Sequence, residues 1–351
     1  MYSSQTETEK QSSSSIKKKL INLAHTTGLI RAGRNIWAKS LTVLNYHRID
    51  DPYRKDFDSF KPNVSATPDD FNQQMDYLDK WFKVISMHDV LQWLDGKKEL
   101  PAYAALITFD DGYLDNYTFA YPILCAHNFP ALIFLTTDHI GTDAPFYWDL
   151  AAYCFYHTQR DHLTFPDGTT ESWSNPGQLD QVSKKWIEVM KTLPQEEKLI
   201  HVQHLPEALG VSIPDGYFKR LMIDWDQARE MQKGGIEFGA HTMHHPILTR
   251  ISLDQVRAEV EGSKSKIEKE LRKPVFSFAY PNGQSSDLNK KIEKIVADSG
   301  VRAAFTLLNG PSSLDEVKRN PFAIRRIFIS YKHSLPEYAA LVSPINRYRS
   351  S

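Results

Sequence analysis

Short apolar runs alternate with amphipathic stretches along most of the chain. The apolar runs predict about eight buried strands, which lie at residues 41–47, 82–85, 104–109, 130–137, 236–240, 275–280, 302–307 and 323–329. Most of the intervals between them carry the periodicity of an amphipathic helix. Since short buried strands that alternate with helices form parallel sheets, the pattern predicts an α/β fold, built as a regular or distorted (β/α) barrel.

One long segment, residues 145–224, interrupts this alternation. Its pattern predicts a helix at 146–157, a small hairpin that turns at 165–169, and two helical segments at about 178–193 and 195–209. We interpret the segment as a helical lobe inserted between strands of the barrel, not as a separate domain.

The two ends of the chain differ in composition from the rest. Residues 1–15 contain almost nothing apolar and are expected to be disordered. Residues 16–40 combine apolar positions with lysines and arginines, which predicts a basic amphipathic helical segment. Such a helix either packs on the domain or contacts a membrane surface. Residues 344–351 are expected to be frayed, which leaves 41–343 as the folded domain.

Composition narrows the class of protein without deciding its function. The 351 residues are 41% hydrophobic and 24% charged, as in ordinary globular proteins, and a formal net charge of −1 predicts no nucleic-acid partner. No apolar run has the length of a transmembrane helix, and the N-terminus lacks the pattern of a signal peptide, so a cytoplasmic location is expected. Cys125 and Cys154 are predicted to be buried thiols.

The first candidate functional residues follow the end of the strand at 104–109. It runs directly into Asp110, Asp111 and Gly112. Two adjacent carboxylates at the end of a buried strand are costly unless a cation or a shared proton compensates them. An Asp-Gly turn without a further role is the alternative.

A second polar cluster follows the strand at 236–240. His241, His244 and His245 lie within five positions, and Pro246 predicts an extended conformation for the residue before it. We therefore expect a loop at the end of a strand, not a helical pair of ligands. Imidazole together with carboxylate suits zinc, iron, nickel or cobalt. Because chemistry in parallel α/β folds collects at the carboxyl ends of strands, the two clusters together favour a metal site.

Three motifs resemble those of one enzyme family. The sequence TFDDG at 108–112, followed by HTMHHP at 241–246 and FAYPNG at 278–283, is similar to the polysaccharide deacetylase family, also called the NodB-homology family or carbohydrate esterase family 4. The third motif has the form found in exopolysaccharide-associated members. The resemblance covers about residues 41–329 and implies a distorted NodB-like (β/α) barrel. It also implies hydrolytic removal of N-acetyl groups from an amino-sugar glycan.

The resemblance also implies roles for the two clusters. Asp110 would be the general base, and Asp111, His241 and His245 would bind one divalent ion, expected to be zinc, with cobalt or nickel as alternatives. His244 falls outside the ligand spacing of the family.

The third motif both matches and departs from the family. Tyr280, Pro281 and Asn282 are expected on the substrate side, with the backbone N–H of Asn282 assisting the metal at the oxyanion. The arginine that braces the base in the family would fall at Ala279 in this chain. Arg326 in the last predicted strand is the candidate replacement, unless it forms a surface or structural ion pair.

Three further residues are candidates for the site. His47 follows the first strand, as in the Tyr-His motif of similar deacetylases, and is a candidate for the general acid; His333 is the other. Trp148 and Asp149 are candidates for the wall of a sugar cleft, although an aromatic residue at a helix start more often belongs to the core.

The expected function is therefore deacetylation during exopolysaccharide or cell-envelope polysaccharide synthesis. The substrate would be an amino-sugar polysaccharide or a lipid-linked or nucleotide-linked glycan. Two alternatives remain at this stage: a glycan-binding member of the fold that has lost turnover, and an iron oxygenase that uses two histidines and one carboxylate. The intact Asp-Asp-His-His set argues against the first alternative, and the adjacent aspartates argue against the second.

Overall fold

The computed structural model describes residues 39–343, together with residues 19, 21–23 and 26. The predictions made for residues 1–15 and 344–351, and nearly all of the prediction for residues 16–40, lie outside these residues. In the part of the chain that the structure describes, no helix is long and apolar enough to cross a membrane.

The strands lie where the apolar runs predict them, with a few short additions. In chain order they are β1 (Ser40–Tyr46), β2 (Arg48–Ile49), β3 (Val64–Ala66), β4 (Lys83–Val84), β5 (Ala104–Phe109), β6 (Ala131–Leu135), β7 (His162–Thr164), β8 (Thr170–Ser172), β9 (Ile236–Ala240), β10 (Ser277–Ala279), β11 (Ala303–Phe305), β12 (Ser312–Ser313) and β13 (Ile327–Phe328). The predicted hairpin is the antiparallel pair β7 and β8.

The main sheet has nine strands and is mostly parallel. Its order is β11-β10-β9-β6-β5-β1-β12, with β13 also paired to β1 and β4 also paired to β5; only the pairing of β1 with β12 is antiparallel. The segment 321–328 connects the two sides of the sheet, because Ile324 bridges to Phe305 of β11 while Ile327 and Phe328 pair with β1. The sheet is therefore curled, as the predicted distorted barrel requires.

Some helices pack against the sheet, and others form the inserted segment beside the cleft. They are α1 (Pro68–Trp81), α2 (Met87–Leu94), α3 (Tyr121–Ala126), α4 (Tyr147–His157), α5 (Pro176–Thr192), α6 (Gln195–Leu209), α7 (Trp225–Lys233), α8 (Leu253–Leu271), α9 (Lys290–Asp298), α10 (Leu314–Arg319) and α11 (Leu335–Leu341). The side chains of Thr67 and Ser252 cap α1 and α8 by accepting backbone N–H bonds, which satisfies donors that a helix start leaves free.

Two details differ from the sequence-based expectations. The helix expected from residue 286 begins only at Lys290, because Asp287 instead accepts hydrogen bonds from the backbone of Gln284 and the side chain of Asn282. Cys154 is buried as expected, but Cys125 is exposed on α3.

The central strands are buried on both faces, and their inward face changes character toward one end. On β5, Leu106 packs in an apolar cluster, whereas Thr108 and then Asp110 follow at every second position. Side chains two apart on a strand share a face. The carboxyl end of the sheet therefore presents polar groups above an apolar core, and this end carries the site.

Candidate metal centre and catalytic cleft

Three predicted ligands converge at the carboxyl ends of β5 and β9. Asp111 follows β5, while His241 and His245 follow β9, and one ligand atom of each lies within 4.8 Å of the others. The distances from Asp111 Oδ1 are 3.6 Å to His241 Nε2 and 3.7 Å to His245 Nε2. One carboxylate oxygen and two imidazole nitrogens thus face a common point.

The chemistry of these three groups fits a divalent metal ion. Both carboxylate oxygens of Asp111 are buried and form no hydrogen bond with any residue in the described ranges. Burial raises the pKa of Asp111 well above its usual value, and the nearby charges of Asp110 and Asp149 raise it further. Nδ1 of His241 donates to the carbonyl of Ala279 at 2.8 Å, which leaves the lone pair of Nε2 for a ligand. Burial also lowers the pKa of His241 and His245, which keeps both rings neutral.

The backbone around these ligands is strained. Positive φ angles occur at Asp111 (75°), Thr242 (68°), His245 (57°) and Asn282 (59°). Non-glycine residues in this region cost on the order of 1–3 kcal/mol each and persist only where surrounding contacts enforce them, often at functional sites. The extended conformation predicted for His245 from Pro246 is therefore wrong.

Contacts with α8 explain that conformation. Glu259 accepts hydrogen bonds from the backbone N–H groups of Met243 and His244, at 2.7 and 3.0 Å. The hydroxyl of Thr242 accepts from the N–H of His245 at 2.9 Å. These bonds fold residues 242–245 into a tight turn, and together they override the local preference set by Pro246.

His244 points away from the metal ligands. It is exposed, and its ring nitrogens lie 2.8 Å from Glu259 Oε1 and 3.1 Å from Asp138 Oδ2. The ligand spacing implied by the resemblance, which skips this residue, agrees with that geometry.

A pair of histidine variants can test the ligand set. We expect His245→Gln to weaken zinc binding by more than about 100-fold, since losing a direct ligand should exceed the 10–100-fold effect of an outer-shell partner. His244→Gln, in the adjacent position, should retain zinc. Metal content after dialysis against a competing chelator measures both variants. Equal loss of zinc from the two would contradict this assignment.

Asp110 forms a buried, two-pronged ion pair with Arg326. Nη1 and Nη2 of Arg326 donate to the two carboxylate oxygens at 2.6 and 2.8 Å, and the Asn45 amide donates to Oδ2 at 2.9 Å. Arg326 is fully buried, so it is not a surface pair. Burial raises the pKa of Asp110, but the charges of Arg326, His241 and His47 and the hydrogen bond from Arg326 together outweigh that effect, and the pKa falls to about 2. Asp110 is therefore ionised at neutral pH.

The position of Arg326 follows from the fold. It lies in the segment 321–328 that connects β11 with β1, and its Nε donates to the carbonyl of Thr306 at 3.0 Å. From there its side chain crosses the inner face of the sheet to the end of β5. The brace that the family motif would place at Ala279 on β10 thus comes from the segment 321–328.

His47 lies beside this pair. Its Nε2 is 3.9 Å from Asp110 Oδ2, and it lines the same cleft as the three metal ligands. Burial lowers the pKa of His47 to about 4, although the charge of Asp110 opposes this effect. The ring is therefore neutral at neutral pH. His333 is not among the residues that line the cleft.

The third motif contributes one residue to the cleft surface. Asn282 lines it, and in the described part of the chain nothing accepts a hydrogen bond from its backbone N–H. Tyr280 and Pro281 are buried and do not line the cleft, and the Tyr280 hydroxyl donates to the carbonyl of Phe322. These two residues therefore support the site from behind.

Of the two candidate cleft-wall residues, Trp148 and Asp149, one lies at the cleft surface and the other lies behind it. Trp148 lines the cleft, with its ring edge-on to His245 at 4.9 Å. Asp149 is fully buried behind that wall, where it accepts hydrogen bonds from the Tyr113 hydroxyl and the Phe60 N–H. The structure therefore does not place Asp149 at the cleft surface, because its carboxylate is used to hold the wall together.

The cleft, about 560 Å³ in volume, also contains residues that the sequence analysis did not identify. Helix α5 contributes Lys184, Ile187, Glu188 and Lys191, whose spacing of three and four positions is that of one helix face and could have indicated them. Others come from loops and from α6, and the sequence carries no comparable signal for them: Phe60, Asn63, Lys198, Phe328 and Tyr331.

Comparisons with known proteins identify relatives of this chain. A family model described as polysaccharide deacetylase matches residues 97–304. The poly-beta-1,6-N-acetyl-D-glucosamine N-deacetylase of Staphylococcus epidermidis is 25% identical over 218 residues, which cover 57% of this chain and 71% of that protein.

Two solved structures share the fold. The Streptococcus pyogenes deacetylase PplD, in complex with acetate, is 19% identical and has a TM-score of 0.57; the match covers 87% of this chain and 99% of that one. IcaB from Ammonifex degensii is 19% identical with a TM-score of 0.55, and the match covers 87% and 97% of the two chains. These likenesses confirm the predicted fold class.

Proposed function

The chain belongs to the polysaccharide deacetylase family, whose members are hydrolases of carbon–nitrogen bonds, and from that premise we propose that it removes N-acetyl groups from an amino-sugar glycan in a metal-dependent reaction. The observation that carries the proposal is the placement of a metal-ligand triad beside an ionised, arginine-braced aspartate in one cleft. We propose zinc as the metal, with cobalt or nickel as substitutes, because two imidazoles and one carboxylate suit these ions.

Asp111, His241 and His245 are the residues that would hold the ion. A divalent ion supplies electrostatic activation of an amide carbonyl and of the attacking water. The backbone N–H of Asn282 is free to donate a hydrogen bond to the oxygen that becomes negative during attack. Trp148, Phe60, Phe328 and Tyr331 provide aromatic surface along the cleft on which sugar rings can stack.

Two neighbouring residues handle the protons in this proposal. Asp110, ionised and held by Arg326, takes a proton from the attacking water. We assign the neutral His47 imidazole to take up this proton from the carboxyl and to deliver it to the departing amine. Its Nε2 lies 3.9 Å from Asp110 Oδ2, longer than a hydrogen bond, and the transfer requires this distance to shorten once the substrate is bound.

For the substrate, we propose a glycan of exopolysaccharide or cell-envelope synthesis. The name of the S. epidermidis relative identifies its own substrate as a polymer of N-acetylglucosamine. A lipid-linked precursor of such a polymer has the same reacting group and belongs to the same proposal. The cytoplasmic location, and membrane contact through residues 16–40, stay predictions from the sequence.

Acetate release tests the proposed function. Zinc-loaded wild type, Asp110→Asn and the control Asp138→Asn would each be incubated with β-1,4- and β-1,6-linked oligomers of N-acetylglucosamine. We expect zinc in all three proteins, acetate from wild type and the control, and a rate at least about 100-fold lower for Asp110→Asn, as for the loss of a general base. Asp138 is a suitable control because it is half-exposed and lies at the same end of the sheet outside the cleft.

Zinc binding without acetate from any oligomer would contradict the proposed turnover of neutral N-acetylglucosamine polymers. A protein that binds these oligomers without hydrolysing them would then be a glycan-binding member of the family.

A further inference from the structure

Lys198 is a buried lysine in the wall of the catalytic cleft. It lies on α6 of the inserted segment, is 5% exposed, and lines the cleft together with Trp148 and His245. Its Nζ is 3.8 Å from the centroid of the Tyr147 ring. In the described ranges of the chain, no carboxylate lies within ion-pair distance of it, so a desolvated ammonium faces an aromatic ring and the cleft.

This arrangement is costly unless something else binds there. Buried lysines are almost always paired, because removal of an ammonium group from water is strongly unfavourable. An aromatic face offsets only part of that penalty. Burial, with a smaller effect from the charge of Lys191, lowers the pKa of Lys198 to about 8. The side chain therefore still carries its charge at neutral pH.

The other charges of the cleft do not compensate Lys198. Asp110 is matched by Arg326, and Glu188 is matched by Lys191 at 2.7 Å. Asp111 belongs to the metal-ligand set. Lys332 also lines the cleft, where its Nζ lies over the ring of Tyr331. Among the charged side chains that line the cleft outside the metal-ligand set, lysines therefore outnumber carboxylates.

A short series of ring contacts fixes where an anion would bind relative to the reacting group. Lys198 contacts Tyr147, the Tyr147 ring lies edge-on to Trp148 at 4.9 Å, and Trp148 lies edge-on to His245 at 4.9 Å. An anion at Lys198 would therefore sit beside the acetamido group at the metal ligands, not on it.

We propose that the substrate is an anionic glycan, in which the amino sugar carries, or is linked to a unit that carries, a phosphate or carboxylate group bound by Lys198. This inference rests on the proposed function and narrows its substrate class. Lys198 acts by positioning the substrate and takes no part in the proton transfers.

Binding can be measured in the zinc-loaded Asp110→Asn protein, so that no probe is consumed. Three probes are N-acetylglucosamine 1-phosphate, a disaccharide of N-acetylglucosamine and glucuronic acid, and the neutral disaccharide N,N′-diacetylchitobiose. We expect at least one anionic probe to bind about tenfold or more tightly than the neutral one, as a charge-assisted hydrogen bond would give. Preference for the phosphate probe, the uronate probe or both identifies the anionic group.

Lys198 variants in the same background decide whether this residue is responsible. Lys198→Met keeps most of the length of the side chain without its charge and should abolish the preference for the anionic probe. Lys198→Gln serves as a second neutral variant if methionine does not fold. Lys219→Gln, at an exposed lysine of the same segment outside the cleft, should retain the preference.

Equal affinity for neutral and anionic probes, or a preference that survives removal of the Lys198 charge, would overturn the proposal. Acetate release by wild type from neutral oligomers is a separate measurement. If wild type releases acetate from neutral oligomers but shows no preference for anionic probes, the result supports the proposed deacetylation and refutes the anionic substrate. If anionic probes are preferred but wild type releases acetate from none of the probes, the result refutes the proposed deacetylation and supports the anion site.

Discussion

Replacing Arg326 with glutamine is expected to lower acetate release by more than about 100-fold and to destabilise the fold by about 3–5 kcal/mol, the usual result of removing one partner of a buried ion pair. Asp110 would keep its burial and its bond to Asn45 but lose both donors that hold its charge. Its pKa would then rise, because burial is the largest influence on it and would no longer be opposed by Arg326.

The pH dependence of the stability distinguishes loss of the ion pair from a general packing defect. In wild type the pKa of Asp110 in the folded state, about 2, lies below the unfolded value of about 4, so the pair stabilises the fold above pH 4 and loses this effect as the pH falls toward 2. In the variant the pKa of Asp110 in the folded state should lie above the unfolded value. The difference in stability between the two proteins should thus be largest at neutral pH, begin to shrink as the pH falls through the raised pKa of the variant, and continue to shrink until the pH reaches about 2.

Urea unfolding of the metal-free proteins at several pH values measures this difference. Arg325→Gln is the matched control, since its side chain is partly exposed and makes only a 3.4 Å contact with the carbonyl of Asn309. It should change stability by less than about 0.5 kcal/mol. A loss of stability in Arg326→Gln that is constant across the pH range would argue for lost packing instead of a lost ion pair.

Replacing Asp111 with asparagine is expected to abolish zinc binding and activity, yet to stabilise the metal-free protein by about 0.5–2 kcal/mol, the common range for a single stabilising substitution. The carboxylate is buried, lies beside Asp110, and has no hydrogen-bond partner among the described residues. Asparagine has the same shape, carries no charge, and tolerates the positive φ of this position better than most residues.

Thermal unfolding with and without zinc measures both effects. At a zinc concentration of 100 times the dissociation constant, wild type should gain about 2.7 kcal/mol, whereas the variant should gain nothing. Because the pKa of Asp111 is raised in the folded state, stability of metal-free wild type should fall as the pH rises above the unfolded value of about 4, and the advantage of the variant should grow. Zinc-dependent stabilisation of the variant equal to that of wild type would refute Asp111 as a ligand.

Much of the fold could be predicted because its strands are buried on both faces. A strand covered by helices on one side and by the barrel interior on the other reads as an unbroken apolar run, as 104–109 and 131–135 do. The parallel arrangement of the strands also made it possible to predict that Asp111 and the two histidines lie close together. Parallel strands end at one edge of a sheet, so polar residues that follow them meet there whatever their separation in the chain.

Local patterns failed where a tertiary contact outweighed a local preference. Pro246 predicts an extended His245, but hydrogen bonds that backbone N–H groups donate to Glu259 and Thr242 hold the turn with a positive φ. Asp149 follows an aromatic residue at a helix start and was a candidate for the cleft. Its carboxylate is instead used by Tyr113 and Phe60, which come from elsewhere in the chain.

The sequence by itself determined the order of strands and helices and the motifs that mark the family, because these depend on periodicity and on residues close together in the chain. Through the resemblance, those motifs also predicted Asp111, His241 and His245 as metal ligands. Only the tertiary structure decided which cations act in the cleft. Arg326 lies 216 positions from Asp110, and Lys198 lies on a helix with many polar residues. Whether a charged side chain is buried, and what faces it, depends on packing between distant segments, which no local pattern encodes.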